Sequence, residues 1–159
     1  SAPARIINVA SDAHNRSAIN FDDLGYQQEY NEWTAYGASK LANILFTTEL
    51  ARRLEETGVT INVLHPGLVN TGFGKNNPGL IMKIMGVVIP LIARSPERGA
   101  KTSIYLVSSP AVQNITGKYF VDCKVTQPAP QATDTAVAKK LWDVSAEMVH
   151  LADSVPDKA

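Results

Sequence analysis

The chain has 159 residues, 45% of them apolar and 19% charged, enough for one globular domain with a sizeable core. Its 15 basic side chains balance 15 acidic ones without a basic cluster, so nucleic acid finds no electrostatic footprint and a small-molecule partner is expected. Cys123 is the single cysteine, which excludes an internal disulfide and fits a reducing, cytoplasmic setting; no metal-ligand cluster is evident in the sequence.

The run Arg5-Ile6-Ile7-Asn8-Val9-Ala10 predicts a strand over 6–10, buried on both faces and ended by Ser11. Residues 12–34 are polar, with Asn15, Asn20, Asp22, Asp23, Gly25 and Asn31, and read as an irregular loop with about one helical turn. The tyrosines of that loop and Trp33 suit either a pocket lining or a small satellite core. A helix is expected over 36–56, because Leu41, Ile44, Leu45, Ala51 and Leu54 recur at three- and four-residue spacings, and Gly58 is a natural stop. A second strand follows over 59–64. A strand, helix and strand joined this tightly predict a right-handed parallel crossover, with Ser11 and His65-Pro66-Gly67 at one edge of the sheet.

Residues 80–92 form the most apolar run, interrupted by Lys83, Gly86 and Pro90 and too short to span a bilayer. A core-packed helix, a substrate lid and a surface that dips into a membrane all remain open for it. Ser95-Pro96-Glu97 has the order of a helix start, serine at the N-cap and proline at the first position, for a helix ending near Val107 or Ser108. Tyr119 and Phe120 favour a third strand over 118–121. After Pro128 and Pro130, Val137, Leu141, Val144, Met148 and Leu151 mark a core-facing stripe on a last helix. One unit over 1–152 and a fraying tail over 153–159 are expected.

Chemistry concentrates at Tyr36-Gly37-Ala38-Ser39-Lys40. On a helix, Tyr36 and Lys40 share one face, one turn apart. A phenol is a poor acid or base at neutral pH, whereas an adjacent ammonium favours the phenolate, so this spacing points to Tyr36 as a general acid/base. The same spacing also occurs on ordinary solvated helices. Likewise Ser11 suits a turn cap, Pro66-Gly67 an ordinary strand exit, Thr71 a plain N-cap, and His65 a packed or backbone-bonded histidine.

Taken together, Arg5 to Ser11, Tyr36-Gly-Ala-Ser-Lys-Leu-Ala-Asn43, His65-Pro-Gly-Leu-Val-Asn-Thr71 and Gly117-Lys-Tyr-Phe120 resemble the C-terminal part of short-chain dehydrogenases/reductases, closest to the retinol dehydrogenase-like branch. The separation of Ser11 from Tyr36, longer than in most of that superfamily, and Asp22, Asp23 and Leu24 within it, resemble the same branch. The resemblance implies the C-terminal half of a Rossmann-type, doubly wound parallel α/β sheet, with about three strands and flanking helices. It further implies oxidation of an alcohol or reduction of a carbonyl with NADP, or NAD, on a small hydrophobic alcohol, aldehyde or ketone. Ser11, Tyr36 and Lys40 would be catalytic; Tyr36, Lys40, Pro66, Gly67, Val69 and Thr71 would contact the cofactor; residues 72–93 would form the variable lid. Pairing of two copies through the tyrosine helix is also implied, although Thr48, Arg52 and Glu55 read as a solvated face.

The chain opens at Ser1-Ala2-Pro3 directly before a core strand, and its residues contain neither the glycine-rich dinucleotide turn nor the catalytic asparagine of that family. The expectation is therefore a piece of a protein about twice as long, inactive alone; the competing class is a non-catalytic remnant or interaction module that binds no cofactor. Side-by-side preservation of Ser11, Tyr36 and Lys40 favours the enzyme.

Overall fold

The computed structural model describes residues 3–69 and 94–151. Thr71, the apolar run 80–92 with its lid expectation, and the tail 153–159 lie outside the described residues. Strand β1 (Ala4–Val9), helix α1 (Glu32–Arg53) and strand β2 (Val59–His65) are followed by α2 (Pro96–Ser108), β3 (Tyr119–Val121), β4 (Lys124–Val125) and α3 (Thr135–Met148). The sheet order is β1-β2-β3-β4, with Ile6 opposite Ile61 and Leu64 opposite Phe120; the first three strands are parallel. Short β4 pairs antiparallel with β3, a hairpin strand added to the three expected ones.

Alternation along the strands builds two cores. Val63 and Tyr119 face α1 and α3, where they meet Leu41, Ile44, Leu45, Ala138 and Leu141. Leu64 and Phe120 point the other way, against Leu106 of α2 and Val112. Helices cover both faces, as buried parallel strands require.

Four expectations need correction. Helix α1 begins at Glu32 rather than Tyr36, because the Asn31 side chain caps it by accepting from the backbone N–H groups of Trp33 and Thr34. It ends at Arg53, three residues early, and the chain turns through Glu56 and Gly58, both at positive φ. The first strand is not buried on both faces: it borders the described sheet, and Ile6 and Val9 are 37% and 47% exposed. The stripe of the last helix stops short of its C-terminus, where Met148 and Leu151 are exposed, since α3 meets α1 and the loop before it through Val137, Ala138, Leu141, Trp142 and Asp143. Asp134 caps α3 and Ser95 caps α2 as their sequences predict.

A candidate active site at the carboxyl edge of the sheet

Ser11 leaves β1 and caps the 3₁₀ turn Asp12–Arg16, its hydroxyl oxygen accepting from Ala13 N–H at 3.3 Å. That turn lies on α1 because Gly37 has no side chain: a Cβ there would sit 2.0 Å from Ser17 Oγ and 2.9 Å from the Ala13 carbonyl oxygen. The neighbour of Tyr36 thus touches the second residue after Ser11. From the next turns of α1, Asn43 donates to the Val9 carbonyl at 2.9 Å and Thr47 accepts from Asn8 at 2.9 Å, fixing the helix along the end of β1. Tyr36 stands in the second turn, and the Lys40 ammonium lies 5.4 Å from the centre of its ring. Both side chains are half-buried.

Pro66 and Gly67 leave β2 at the same edge, with Gly67 at φ +82, a conformation that glycine adopts without a Cβ penalty. Val69 forms an isolated bridge with Arg94 and packs into the space that Gly99 leaves on α2. The structure therefore gathers Ser11, Tyr36, Lys40, Pro66, Gly67 and Val69 along one edge, as the strand–helix–strand order requires.

Four further polar residues act at this edge: Asp12 and His14 lie outside the motifs, whereas His65 and Tyr119 stand within them. Asp12 ties three strand ends together: one carboxylate oxygen accepts from the Tyr119 hydroxyl at 3.2 Å, the other pairs with His65 Nε2 at 3.1 Å. His65 is thus held by a carboxylate rather than by backbone, and its buried Nδ1 has no hydrogen-bond partner among the described residues. Burial lowers the His65 pKa, with Arg94 and His14 adding to the effect and Asp12 opposing it. Burial and the Asp12 carboxylate push the Tyr119 phenol far above its ordinary range, so Tyr119 stays a hydrogen-bond donor.

His14, fully buried, completes the frame. Its Nε2 accepts from Ala129 N–H at 3.1 Å, so the ring proton sits on Nδ1 and is donated to the Ser11 carbonyl at 2.7 Å. The turn that carries Ser11 is thereby tied to the segment before α3, and the Gln131 amide adds bonds to the carbonyls of His14, Asn15 and Ser17. The sequence signal for these residues is weak: Asp12 and His14 stand beside Ser11, but Tyr119 and Ala129 are more than a hundred residues away.

Among the described residues no cluster has the makings of a metal site, and no helix is long and apolar enough to cross a membrane. A nicotinamide group fits what is present in its polar partners, because Lys40 and Tyr36 offer an ammonium and a phenol at the same edge, while the Cβ side of Gly67 is taken by the Arg94 guanidinium.

The short chain dehydrogenase family profile matches residues 2–79. Over 153 residues the chain is 52% identical to human retinol dehydrogenase 14, covering 95% of this chain and 46% of that protein. It is 44% identical to human retinol dehydrogenase 13 over 95% of this chain and 47% of the relative. The chloroplastic short-chain dehydrogenase TIC 32 B of Brassica napus is 41% identical, over 96% of this chain and 48% of its own length. The chain thus spans about half the length of the curated relatives it matches. Among solved structures, an uncharacterised protein from Mycobacterium paratuberculosis superposes with a TM-score of 0.69 at 24% identity, covering 97% of this chain and 52% of that one. The NADPH-bound carbonyl reductase from chicken fatty liver reaches 0.51 at 20% identity over 78% of this chain and 42% of its own. At these identities the structures speak to the fold.

Proposed function

We propose that this chain, which belongs to the short-chain dehydrogenase family and to its retinol dehydrogenase-like branch, supplies the catalytic half of an enzyme that interconverts an alcohol and a carbonyl. The observation that carries the proposal is the Lys40 ammonium 5.4 Å from the ring of Tyr36, on a helix held against the turn of Ser11 through Gly37. In the oxidising direction the Tyr36 phenolate takes the proton of the substrate hydroxyl while its carbon gives up a hydride. In reduction the phenol returns that proton to the carbonyl oxygen. When bound, the nicotinamide group supplies or accepts the hydride.

The chain's own residues do the rest. The Ser11 hydroxyl oxygen already accepts from Ala13 N–H, which leaves its proton to donate to the substrate oxygen as negative charge develops there. Lys40, 5.4 Å from the Tyr36 ring centre, would hold ribose hydroxyls, and the backbone at Pro66 and Gly67 would meet the ring on the side away from Arg94. Val69, held between Arg94 and α2, presents its backbone to the carboxamide. Thr71 belongs to the same proposal through the motif order alone. The dinucleotide is NADP, with NAD as the second choice, and the substrate is a small apolar alcohol, aldehyde or ketone of retinal-like character.

The test is Tyr36→Phe in a protein that carries this chain together with the remaining length its relatives possess. Turnover of a long-chain aldehyde should fall by roughly 10²–10⁴-fold, with NADPH binding intact, since general acid/base groups contribute that much. Unchanged turnover would remove Tyr36 from the mechanism. Failure of the unsubstituted protein to bind either dinucleotide would favour the non-catalytic class.

A further inference from the structure

Arg94 occupies a place that catalysis by Ser11, Tyr36 and Lys40 does not explain. A Cβ on Gly67 would lie 2.8 Å from Arg94 Nε and 3.0 Å from Cζ, so the guanidinium rests on the bare glycine backbone. Its own backbone N–H donates to the Leu68 carbonyl at 2.7 Å, and Arg94 bridges Val69 as a short parallel pair. The far side of the guanidinium is held by both carboxylate oxygens of Asp122, the second at 3.0 Å.

The turn that carries Asp122 is itself strained. Val121 pairs with Lys124, leaving Asp122 and Cys123 as a two-residue hairpin loop with φ +49 and +63, a backbone that favours asparagine or aspartate followed by glycine, so the strain falls on Cys123. Two contacts hold it there: the Arg94 fork on Asp122 and the buried Thr102 hydroxyl, which accepts from Cys123 N–H at 3.2 Å. An ion pair with side chains 35% and 58% exposed adds little to stability, so stability does not account for a strained turn built around it. What the pair does accomplish is geometric. The planar fork presses one face on Gly67 and links the exit of β2 to the β3–β4 hairpin, at the backbone where the nicotinamide ring is proposed to lie.

We infer that Arg94, oriented by Asp122, is a positioning residue that fixes the backbone of residues 66–69 for the cofactor. The inference rests on the oxidoreductase reading of this edge. It also predicts which features of Arg94 matter: the fork and its partner, not the positive charge.

The test measures NADPH binding by heat and turnover of decanal in the longer protein described above, together with hydrogen exchange of the 67–69 amides. Arg94→Ala should weaken NADPH binding about tenfold, with kcat at saturating cofactor falling less than about threefold, the signature of lost ground-state positioning. Asp122→Asn should weaken binding in the same direction, about three- to fivefold, and the double variant should be no worse than Arg94→Ala alone. Arg94→Lys should behave nearly as alanine. Unchanged affinity in Arg94→Ala, full retention in Arg94→Lys, or tighter binding in Asp122→Asn would overturn the inference; the last two would make Arg94 a direct charge contact. If the unsubstituted protein binds no dinucleotide, the oxidoreductase reading fails, and exchange still decides the clasp: faster exchange at 67–69 in Arg94→Ala supports it, and an unchanged rate overturns it.

Discussion

The two ends of the parallel sheet are built by different rules. At the amino end, side chains serve the backbone: Thr116 bonds both the N–H and the carbonyl of Ile61, while Asn62 donates to the Ile115 carbonyl at 2.6 Å and accepts from Lys118 N–H at 3.0 Å. Gly117 N–H closes the set on Ile61 at 2.7 Å. At the carboxyl end, side chains bond backbone too, through Asn43, His14 and Gln131, but they also bond one another. Asp12 bonds His65 and Tyr119, Arg94 bonds Asp122, Gly67 and the Asp122-Cys123 turn sit at positive φ, and His65 keeps a buried nitrogen without a hydrogen-bond partner among the described residues. Positive φ occurs at both ends, at Glu56, Gly58 and Gly117 on the first and at Gly67, Asp122 and Cys123 on the second. What sets the second apart is the ion pairs between its side chains and, among the described residues, the unpartnered His65 Nδ1, at the edge where open α/β sheets bind ligands.

Substitutions can break that contrast in either direction. The largest effect is expected at the link between α1 and the Ser11 turn. In Gly37→Ala the new methyl meets the Ala13 carbonyl, which cannot swing aside as Ser17 Oγ can, so the turn must lift from the helix. Overpacking of this kind costs about 1–3 kcal/mol, less up to about 1 kcal/mol of improved helix propensity. Turnover should fall further than stability does, by about 10²-fold, because Ser11 and Tyr36 lose their common register. Steady-state rates set beside a melting curve check this, and a variant equally active and equally stable would refute it.

At the opposite end Asn62→Ala should show the reverse pattern. It leaves the Ile115 carbonyl and the Lys118 N–H without their side-chain partner, which costs about 1–3 kcal/mol in denaturant midpoint, while NADPH affinity stays as it was. A loss of affinity without a loss of stability would erase the distinction between the two ends.

The smallest effect is a pH dependence confined to the carboxyl end. His65 takes up its proton at lower pH in the native protein than the ordinary 6.5, chiefly because it is buried. The unfolded chain therefore binds more protons as pH falls below 6.5, and stability declines from there until the native ring also protonates. Asp122 acts lower down: the Arg94 hydrogen bond depresses its carboxyl, so its contribution is complete above the ordinary carboxylate range and is lost as pH falls through the depressed native value. Melting temperatures of wild type, His65→Gln and Asp122→Asn across pH 3 to 8 should separate the two windows. Identical profiles for all three would dissociate these groups from the acid response.

Local patterns carried a large part of the fold. The alternation and apolarity of β1 and β2, the stripe of α1, the serine–proline start of α2 and the aromatic pair of β3 each state their element within a few residues. The Tyr36–Lys40 spacing likewise states a shared helix face wherever the helix begins, so the early start at Asn31 did not disturb it. The motifs also named the family, because four short patterns in one order are far more specific than any one of them.

What only tertiary structure decided are the contacts between residues distant in the chain. Asp12 meeting Tyr119, His14 meeting Ala129 and Arg94 resting on Gly67 have no periodicity or local spacing to announce them. The strained Asp122-Cys123 turn is hidden for the same reason, since its composition does not call for positive φ and the contacts that hold it come from residues 94 and 102. Backbone periodicity and capping act within a few residues, and so a sequence exposes them. Pairing across the sheet edge depends on which strands lie side by side, and that is settled when β1, β2 and β3 come into register and their carboxyl ends meet.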